Sequence, residues 1–263
     1  MSSQTIAGGG ASGDPIIEFR GVSYSAGSNG AKPILDGISL TIRSGETVVL
    51  LGKSGAGKTT LLKLVNRMLV PSHGEVFVEG QATGAWDVIR LRRGIGYVIQ
   101  HVGLFPHFNV RRNVTLVPNL EKWPKDRQEK RYTEVMQLVG LDAREFGKRL
   151  PHQLSGGQRQ RVGVARALAA DPPILLMDEP FGALDPVTRA DLQREFHELA
   201  ERLAKTIVLV THDLREALVL GSRIVLMDKG RVVADASAES FPSLAQPLVQ
   251  EYVASQQSTV EES

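Results

Sequence analysis

The stretch that decides the fold is Thr47–Thr60, which reads TVVLLGKSGAGKTT. Its apolar start is typical of a buried strand, which we predict over Glu46–Leu51. The part that begins at Gly52 fits the pattern G-x-x-x-x-G-K-[S/T], which binds phosphate when it connects a strand to a helix. The sequence supplies this context, because apolar residues recur at helical spacing over Thr59–Leu69. The predicted buried face of this helix consists of Leu61, Leu62, Leu64, Val65 and Met68.

The glycine-rich turn is predicted to hold the phosphates of a nucleotide. Glycine lets successive backbone N–H groups turn toward phosphate oxygens, where a side chain would block their approach. The following helix adds the partial positive charge of its N-terminus, and Lys58 adds a point charge for the β- and γ-phosphates. Thr59, or alternatively Thr60, offers a hydroxyl to Mg²⁺. The residues that we expect to contact the nucleotide here are Gly52, Ser54, Gly55, Ala56, Gly57, Lys58, Thr59 and Thr60.

A second apolar strand, Ile174–Met177, is followed by two adjacent carboxylates, Asp178 and Glu179. Asp178 at the strand tip suits a direct or outer-sphere ligand of Mg²⁺. Glu179 points elsewhere and suits the polarisation of a water for attack on the γ-phosphate. A strand that ends in Asp-Glu also occurs as a simple cap or turn, but the glycine-rich turn in the same chain favours the catalytic interpretation.

A second candidate for anion binding is Leu154–Gln158, which reads LSGGQ and precedes a predicted helix, Gln158–Ala170. Ser155 followed by two glycines is typical of a helix cap whose backbone amides face an anion. An ordinary capped helix is the alternative interpretation. The chain thus has two phosphate-binding turns and a single strand with carboxylates, which favours a self-dimer in which each protomer closes on its partner's nucleotide.

The composition excludes several classes of protein. The 263 residues contain no cysteine, so no disulfide, thiolate metal site or cysteine nucleophile is possible. The formal net charge is only +2, which argues against a nucleic-acid partner. The longest apolar stretches, such as Val48–Leu51, are far shorter than the roughly 20 residues of a membrane span. The glycine- and serine-rich start, Met1–Gly13, is expected to be a disordered leader without a secretory signal.

Taken in order, these motifs together with Gln100, Ala183–Asp185 and His212 closely resemble those of the ATP-binding subunits of ABC transporters. The resemblance extends over Ile16–Val233. It implies an α/β fold: a P-loop NTPase core with a mostly parallel sheet, an antiparallel β subdomain and an inserted helical subdomain. We expect the ATPase domain over residues 14–250, its helical subdomain at about 111–168 and a flexible tail at 251–263. It also implies a head-to-tail dimer that sandwiches two ATP molecules.

The resemblance also implies roles for single residues. Tyr24 matches the aromatic residue that stacks on adenine. Gln100 matches the residue that contacts Mg²⁺ and the attacking water and senses the membrane partner. Asp185 would bridge the two protomers, and it can cap a helix at the same time. His212 would contact the γ-phosphate. The residues expected to contact the partner's nucleotide are Ser155, Gly156, Gly157 and Gln158.

Within the family, Ile95–His107, Leu116–Pro118 and Ala169–Pro186 resemble the ATPases of osmoprotectant importers. Such importers take up quaternary amines such as glycine betaine, choline or carnitine. The resemblance implies a transmembrane permease that docks around Gln100–Phe108, a substrate-binding protein and a peripheral location on the cytoplasmic face of the inner membrane. Importers of amino acids or other small solutes and exporters of lipids or drugs are the alternatives within transport.

Two further classes agree less well with the sequence. An ABC ATPase of DNA repair or translation would need a long coiled-coil insertion or two cores, whereas this chain has one glycine-rich turn of the required pattern. A nucleotide-binding regulator without hydrolysis is disfavoured because both Glu179 and His212 are present.

Overall fold

The computed structural model describes residues 13–27, 32–100 and 103–261, with side chains through residue 255. The chain divides into two compact units. Unit 1 consists of the chain up to Trp86 together with the chain from Val208 onward, and unit 2 is Asp87–Ile207. Apart from Gly13, the predicted leader lies outside the described residues.

The helices and strands of the described residues are, in chain order, β1 (Pro15–Tyr24), β2 (Leu35–Arg43), β3 (Thr47–Leu51), α1 (Lys58–Val65), β4 (His73–Val78), β5 (Gln81–Ala82), α2 (Val88–Arg93), β6 (Ile95–Val98), α3 (Val110–Val114), α4 (Leu116–Leu120), α5 (Lys125–Leu138), α6 (Ala143–Phe146), α7 (Gly156–Leu168), β7 (Ile174–Asp178), α8 (Pro186–Leu203), β8 (Thr206–Thr211), α9 (Leu214–Leu220), β9 (Arg223–Asp228), β10 (Arg231–Ser237) and α10 (Pro247–Glu261). Short 3-10 helices lie at Thr83–Ala85, Pro151–Gln153 and Phe241–Ser243. The boundary between the two units falls within β8.

Unit 1 contains an antiparallel sheet with the strand order β2-β1-β4-β5. Along β2 the buried residues Ile38, Leu40 and Ile42 alternate with less buried Ser39 and Thr41. This period of two is expected of a strand that covers a core with one face only. The sheet is the antiparallel part of the predicted fold.

Unit 1 also contains β3, which pairs in parallel with β9, and β9 pairs antiparallel with β10. From Val48 to Leu51 every residue of β3 is buried. Such a continuous apolar run is typical of a parallel strand that is covered on both faces. Helix α9 packs against β3. The glycine-rich turn therefore begins at the end of a strand that is buried from Val48 onward.

Unit 2 combines the parallel pair β6 and β7 with helices. All residues from 110 to 168 are described, and they form five α-helices and no strand. Helices α5 and α8 each bury one apolar face. The buried residues of these faces are Tyr132, Val135 and Met136 on α5 and Leu192, Phe196 and Leu199 on α8. Parallel strands with helices in this unit, and a separate antiparallel sheet in unit 1, confirm the predicted α/β class.

The helix after the glycine-rich turn is shorter than predicted. It ends at Val65 and not at Leu69, because Arg67 has a left-handed backbone conformation with φ 52°. Met68, which was predicted to be buried, is 52% exposed. The prediction was wrong here because apolar spacing continued past the residue at which the backbone changes direction.

The C-terminal segment differs from the flexible tail that was predicted for residues 251–263. It is helical from Pro247 to Glu261, and the side chains of Val249 and Tyr252 are buried. These two residues lie three positions apart and so share one face of a helix. The prediction rested on the polar residues at the end of the sequence and overlooked this apolar face.

The hydroxyl of Tyr252 on α10 gives a testable prediction about the stability of the fold. Its hydroxyl is buried and has no hydrogen-bond partner among the described residues, and burial raises the pKa of the phenol. A buried hydroxyl without a partner costs free energy. We therefore expect Tyr252→Phe to raise the free energy of unfolding by about 1 kcal/mol, as measured by urea denaturation.

The matched control for this substitution is Tyr132→Phe. The Tyr132 hydroxyl is also buried, but it donates a hydrogen bond of 3.0 Å to the carbonyl oxygen of Ala143. Removing it leaves that oxygen without this donor, so we expect a loss of about 1 kcal/mol. Equal effects of the two substitutions would contradict the assignment of the Tyr252 hydroxyl as unpaired.

Candidate nucleotide-binding and catalytic site

The glycine-rich turn of unit 1 leaves no space for side chains at two of its glycines. A Cβ atom on Gly52 would lie 2.4 Å from the carbonyl oxygen of Met227, and one on Gly57 would lie 2.6 Å from Cδ2 of Leu35. Gly55 and Gly57 have φ angles of +82° and +99°, which L-residues rarely adopt. The backbone of this turn therefore favours glycine at residues 52, 55 and 57 over any residue with a side chain.

Helix α1 begins directly after the turn and presents an N-terminus that can bind an anion. Its N-cap is Gly57, which has no side chain with which to cap the helix, and its first turn contains no acidic residue. The first backbone N–H groups of a helix have no acceptor within the helix, and the helix dipole places a partial positive charge there. Phosphate groups bind at such helix ends.

Lys58 holds its ammonium group over the turn. The side chain is buried, and Nζ donates hydrogen bonds to the carbonyl oxygens of Gly52 at 2.6 Å and Lys53 at 3.0 Å. The charge is thereby fixed at the turn, and its contact with phosphates stays a prediction. Thr59 and Thr60 follow in the first turn of α1 and are half-buried.

Tyr24 is connected to the turn through one neighbour. It is the last residue of β1, is half-buried, and pairs with Leu35 on β2. Leu35 in turn lies against Gly57 at the start of α1. This placement in unit 1 agrees with the adenine-stacking role that the resemblance implies, and the role itself stays a prediction.

The structure brings Ser54 and His212 together on one cavity of unit 1. The cavity has a volume of about 350 Å³ and is lined by Lys53, Ser54, His212, Glu251, Tyr252 and Ser255. Sequence reasoning did not assign the part that belongs to α10, where Glu251 accepts a hydrogen bond of 3.4 Å from Nζ of Lys53. The helical spacing of Val249 and Tyr252 was the signal that could have predicted this helix.

Two predicted catalytic residues of unit 2 are in direct contact. Gln100 follows β6 and Glu179 follows β7, and these parallel strands pair Val98 with Met177. Because parallel strands end at the same edge of a sheet, their next residues lie side by side. Nε2 of Gln100 donates a hydrogen bond of 3.0 Å to Oε2 of Glu179.

Glu179 has a strained backbone, whereas Asp178 is part of the strand. The φ angle of Glu179 is 42°, in the left-handed region, which costs an L-residue about 1–2 kcal/mol. Such outliers cluster at functional sites. Asp178 is the last residue of β7 and is buried. Burial and, second, the charge of Asp178 raise the pKa of Tyr97 on β6 to about 12.

The LSGGQ segment forms a capping box at the start of α7. Oγ of Ser155 accepts a hydrogen bond of 3.2 Å from the backbone N–H of Gln158, and Oε1 of Gln158 accepts one of 2.9 Å from the N–H of Ser155. The structure thus shows helix capping, which uses the Ser155 oxygen as an acceptor and leaves its hydroxyl hydrogen for another partner. Anion binding at this helix start stays a prediction. A Cβ on Gly157 would lie 3.0 Å from Cγ2 of Thr188, so α8 packs closely here.

Asp185 is the N-cap of α8, as one of the two predicted interpretations stated. It is exposed, and Oδ1 accepts a hydrogen bond of 3.0 Å from the backbone N–H of Thr188. Hydrogen bonds from Thr188 lower the pKa of Asp185. Thr188 thus lies next to Asp185 and also next to Gly157. The LSGGQ segment and Asp185, both predicted to face the partner protomer, are therefore neighbours in unit 2.

The loop after Gln100 carries an exposed aromatic cluster on a fixed backbone. Residues 101 and 102 of the predicted docking segment lie outside the described part of the chain. Beyond them, Phe105 is 41% exposed, and its ring lies 5.2 Å from that of Phe108. Buried Asn113 accepts a hydrogen bond of 2.8 Å from the N–H of Phe105 and donates one of 2.9 Å to the carbonyl oxygen of Phe108.

Comparison with known proteins identifies the family. A model of the ABC transporter family matches residues 35–182. The chain belongs to this family. It is 50% identical to the osmoprotectant import ATP-binding protein OsmV of Salmonella typhimurium over 81% of its own length and 55% of that protein. It is 48% identical to the glycine betaine/carnitine/choline transport ATP-binding protein OpuCA of Bacillus subtilis over 85% of its length and 59% of that protein. The chain therefore spans a little more than half the length of these relatives.

A solved ABC cassette has the same fold. The chain superimposes with a TM-score of 0.75 and 33% identity on the dimeric post-hydrolysis structure of the cassette MJ0796 bound to ADP and Pi, covering 85% of this chain and 99% of that one. This confirms the predicted fold of the ABC ATPase domain. No helix of this ABC ATPase domain, as far as the structure describes it, is both long and apolar enough to span a bilayer.

The oxygen-bearing side chains of this ABC ATPase domain fit Mg²⁺. In the described residues, no three His, Asp or Glu side chains cluster as they do in an all-protein metal site. Mg²⁺ is commonly bound by one or two carboxylates, hydroxyls and the phosphates of the substrate. The predicted set of Thr59, Gln100 and Asp178 consists of hydroxyl, amide and carboxylate oxygens, which are the ligands that this hard cation prefers.

Proposed function

We propose that this chain is the ATP-hydrolysing subunit of a membrane importer for quaternary-amine osmoprotectants. The observation that carries the enzymatic part is the contact between Gln100 and Glu179 at 3.0 Å, in a chain that also contains the phosphate-binding turn. A carboxylate that is oriented by an amide can accept the proton of an attacking water.

The proposed roles follow from the chemistry of each group. Glu179 accepts the proton of the water that attacks the γ-phosphate. Gln100 orients both that water and the Glu179 carboxylate. Lys58 and the start of α1 bind the phosphates, and His212 contacts the γ-phosphate. Asp178, Thr59 and Gln100 would hold Mg²⁺, which neutralises charge on the phosphates when it is bound.

The proposed active form is a dimer of two copies of the chain. In it, Ser155, Gly156, Gly157 and Gln158 of one protomer contact the nucleotide of the other, and Asp185 contacts the partner. The dimeric state of MJ0796, with ADP and Pi, supports this arrangement. We further propose that the dimer sits on the cytoplasmic face of the inner membrane and drives a permease that receives substrate from a binding protein.

The proposed substrate class rests on the names of OsmV and OpuCA. The test is uptake of labelled glycine betaine, choline and carnitine into vesicles that contain this chain, the proposed permease and its binding protein. ATP-dependent uptake of one of these amines is expected. ATP hydrolysis without uptake of any of them, together with uptake of an amino acid or polyamine, would contradict the substrate class and leave the ATPase role intact.

Permease coupling gives a separate prediction. Phe105→Ala removes the exposed apolar ring from the loop that Asn113 holds. We expect uptake to fall to background while the isolated chain hydrolyses ATP at its normal rate, because the ring is proposed to contact the permease alone. Val70→Ala is the control, since Val70 is also exposed (63%) but belongs to unit 1. Normal uptake with Phe105→Ala would contradict the docking role.

A further inference from the structure

His212 lies in the short connection between β8 and α9. Thr211, just before it, is the last residue of β8, and Asp213, just after it, is the N-cap of α9. The imidazole is exposed and reaches the cavity that also contains Ser54. The direction of its Cα–Cβ bond is therefore decided by the backbone of three residues.

The Thr211 hydroxyl fixes this backbone from both sides. Oγ1 donates a hydrogen bond to Oε2 of Glu216 and accepts one of 3.1 Å from the backbone N–H of Asp213. Thr211 is 2% exposed and Glu216 is 6% exposed, so water does not compete for these bonds. Asp213 in turn accepts a hydrogen bond of 2.8 Å from the N–H of Arg215 and so holds the start of α9.

Glu216 is an unusual residue for its place in α9. The helix packs against β3 with buried apolar residues, among them Leu214, Ala217 and Leu220. A buried carboxylate weakens such packing unless hydrogen bonds compensate for its desolvation. An apolar side chain at this position would serve stability as well. The carboxylate instead accepts the hydrogen bond of the Thr211 hydroxyl.

We infer that Thr211 and Glu216 are positioning residues that aim His212 at the γ-phosphate. The inference rests on the proposed role of His212. In this arrangement the Glu216 carboxylate orients the Thr211 hydroxyl, the hydroxyl oxygen holds the N–H of Asp213, and the backbone between them carries the imidazole. The essential feature is an acceptor at residue 216 and a hydroxyl at residue 211.

The test compares Thr211→Val with Thr211→Ser, each alone and combined with His212→Ala. Valine has the shape of threonine without the hydroxyl, whereas serine keeps the hydroxyl. We expect Thr211→Val to lower kcat between about tenfold and 100-fold, because small displacements of a catalytic group have effects of this size. The KM for ATP should not change, and Thr211→Ser should restore kcat.

The double variant separates positioning from general damage. If Thr211 acts through His212, adding Thr211→Val to His212→Ala should change kcat by less than about twofold, since the two effects are not additive. A full additional loss in the double variant, or normal kcat with Thr211→Val, would overturn the inference. Glu216→Gln, which still offers an acceptor, should behave like the wild type.

A second readout does not depend on hydrolysis. The ring signal of His212 in a carbon–proton NMR spectrum can be assigned by its loss in His212→Ala. We expect it to shift toward the value of a freely rotating side chain in Thr211→Val but not in Thr211→Ser. An unchanged signal in Thr211→Val would contradict the inference even if the wild type hydrolyses ATP. Conversely, a wild type without hydrolysis would contradict the proposed function, while this signal would still decide the positioning role.

Discussion

Glu179→Gln is expected to lower ATP turnover by about 100-fold to 10,000-fold, the usual contribution of a general base. A carboxamide cannot accept the proton of the attacking water. Its oxygen can still accept the hydrogen bond that Nε2 of Gln100 gives to Glu179, so the surroundings of the site should be preserved. ATP should therefore bind and remain uncleaved, and the dimer that closes on it should accumulate.

The measurement is steady-state phosphate release together with light scattering after gel filtration in ATP. A monomer–dimer shift that persists in ATP, with turnover near background, is the expected result. Glu239→Gln is the matched control, because Glu239 is exposed and is not one of the assigned site residues. Near-normal phosphate release by Glu179→Gln would contradict the assignment of Glu179 as the general base.

The parts of the site that could be predicted from the sequence are local. The turn from Gly52 to Thr59 and the carboxylate at the end of β7 each lie within a few residues of a strand whose apolar run is visible in the sequence. The capping box of Ser155 and Gln158 is local as well, because both hydrogen bonds join residues three positions apart.

The parts that could not be predicted depend on contacts between distant residues. The hydrogen bond between Gln100 and Glu179 joins residues 79 positions apart, and only the family resemblance suggested that they act together. The contact of Glu251 with Lys53 requires a helix in a segment that was read as a tail. Similarly, the end of α1 is decided by the left-handed backbone of Arg67, a residue type that gives no signal for a helix end.

Ser155→Arg is expected to abolish hydrolysis while each protomer still binds ATP. Ser155 is exposed at the start of α7, so a guanidinium at this position would extend into the space that the partner's nucleotide is proposed to occupy. Its positive charge is also unfavourable at the N-terminus of a helix. The glycine-rich turn, which is proposed to bind ATP in each protomer, belongs to unit 1 and should be unaffected.

Two control variants distinguish a blocked dimer interface from loss of the helix cap and from the added positive charge. Ser155→Ala removes the hydroxyl that accepts from Gln158 and so costs about 1 kcal/mol of helix stability, but it adds no bulk. Gln137→Arg adds the same guanidinium on the exposed face of α5. We expect both to retain hydrolysis that rises with the square of protein concentration while the protein is dilute and mostly monomeric, as a shared site requires. If Ser155→Arg keeps the same cooperative turnover, the nucleotide is not shared between protomers, because a side chain of this size at a shared site could not be accommodated.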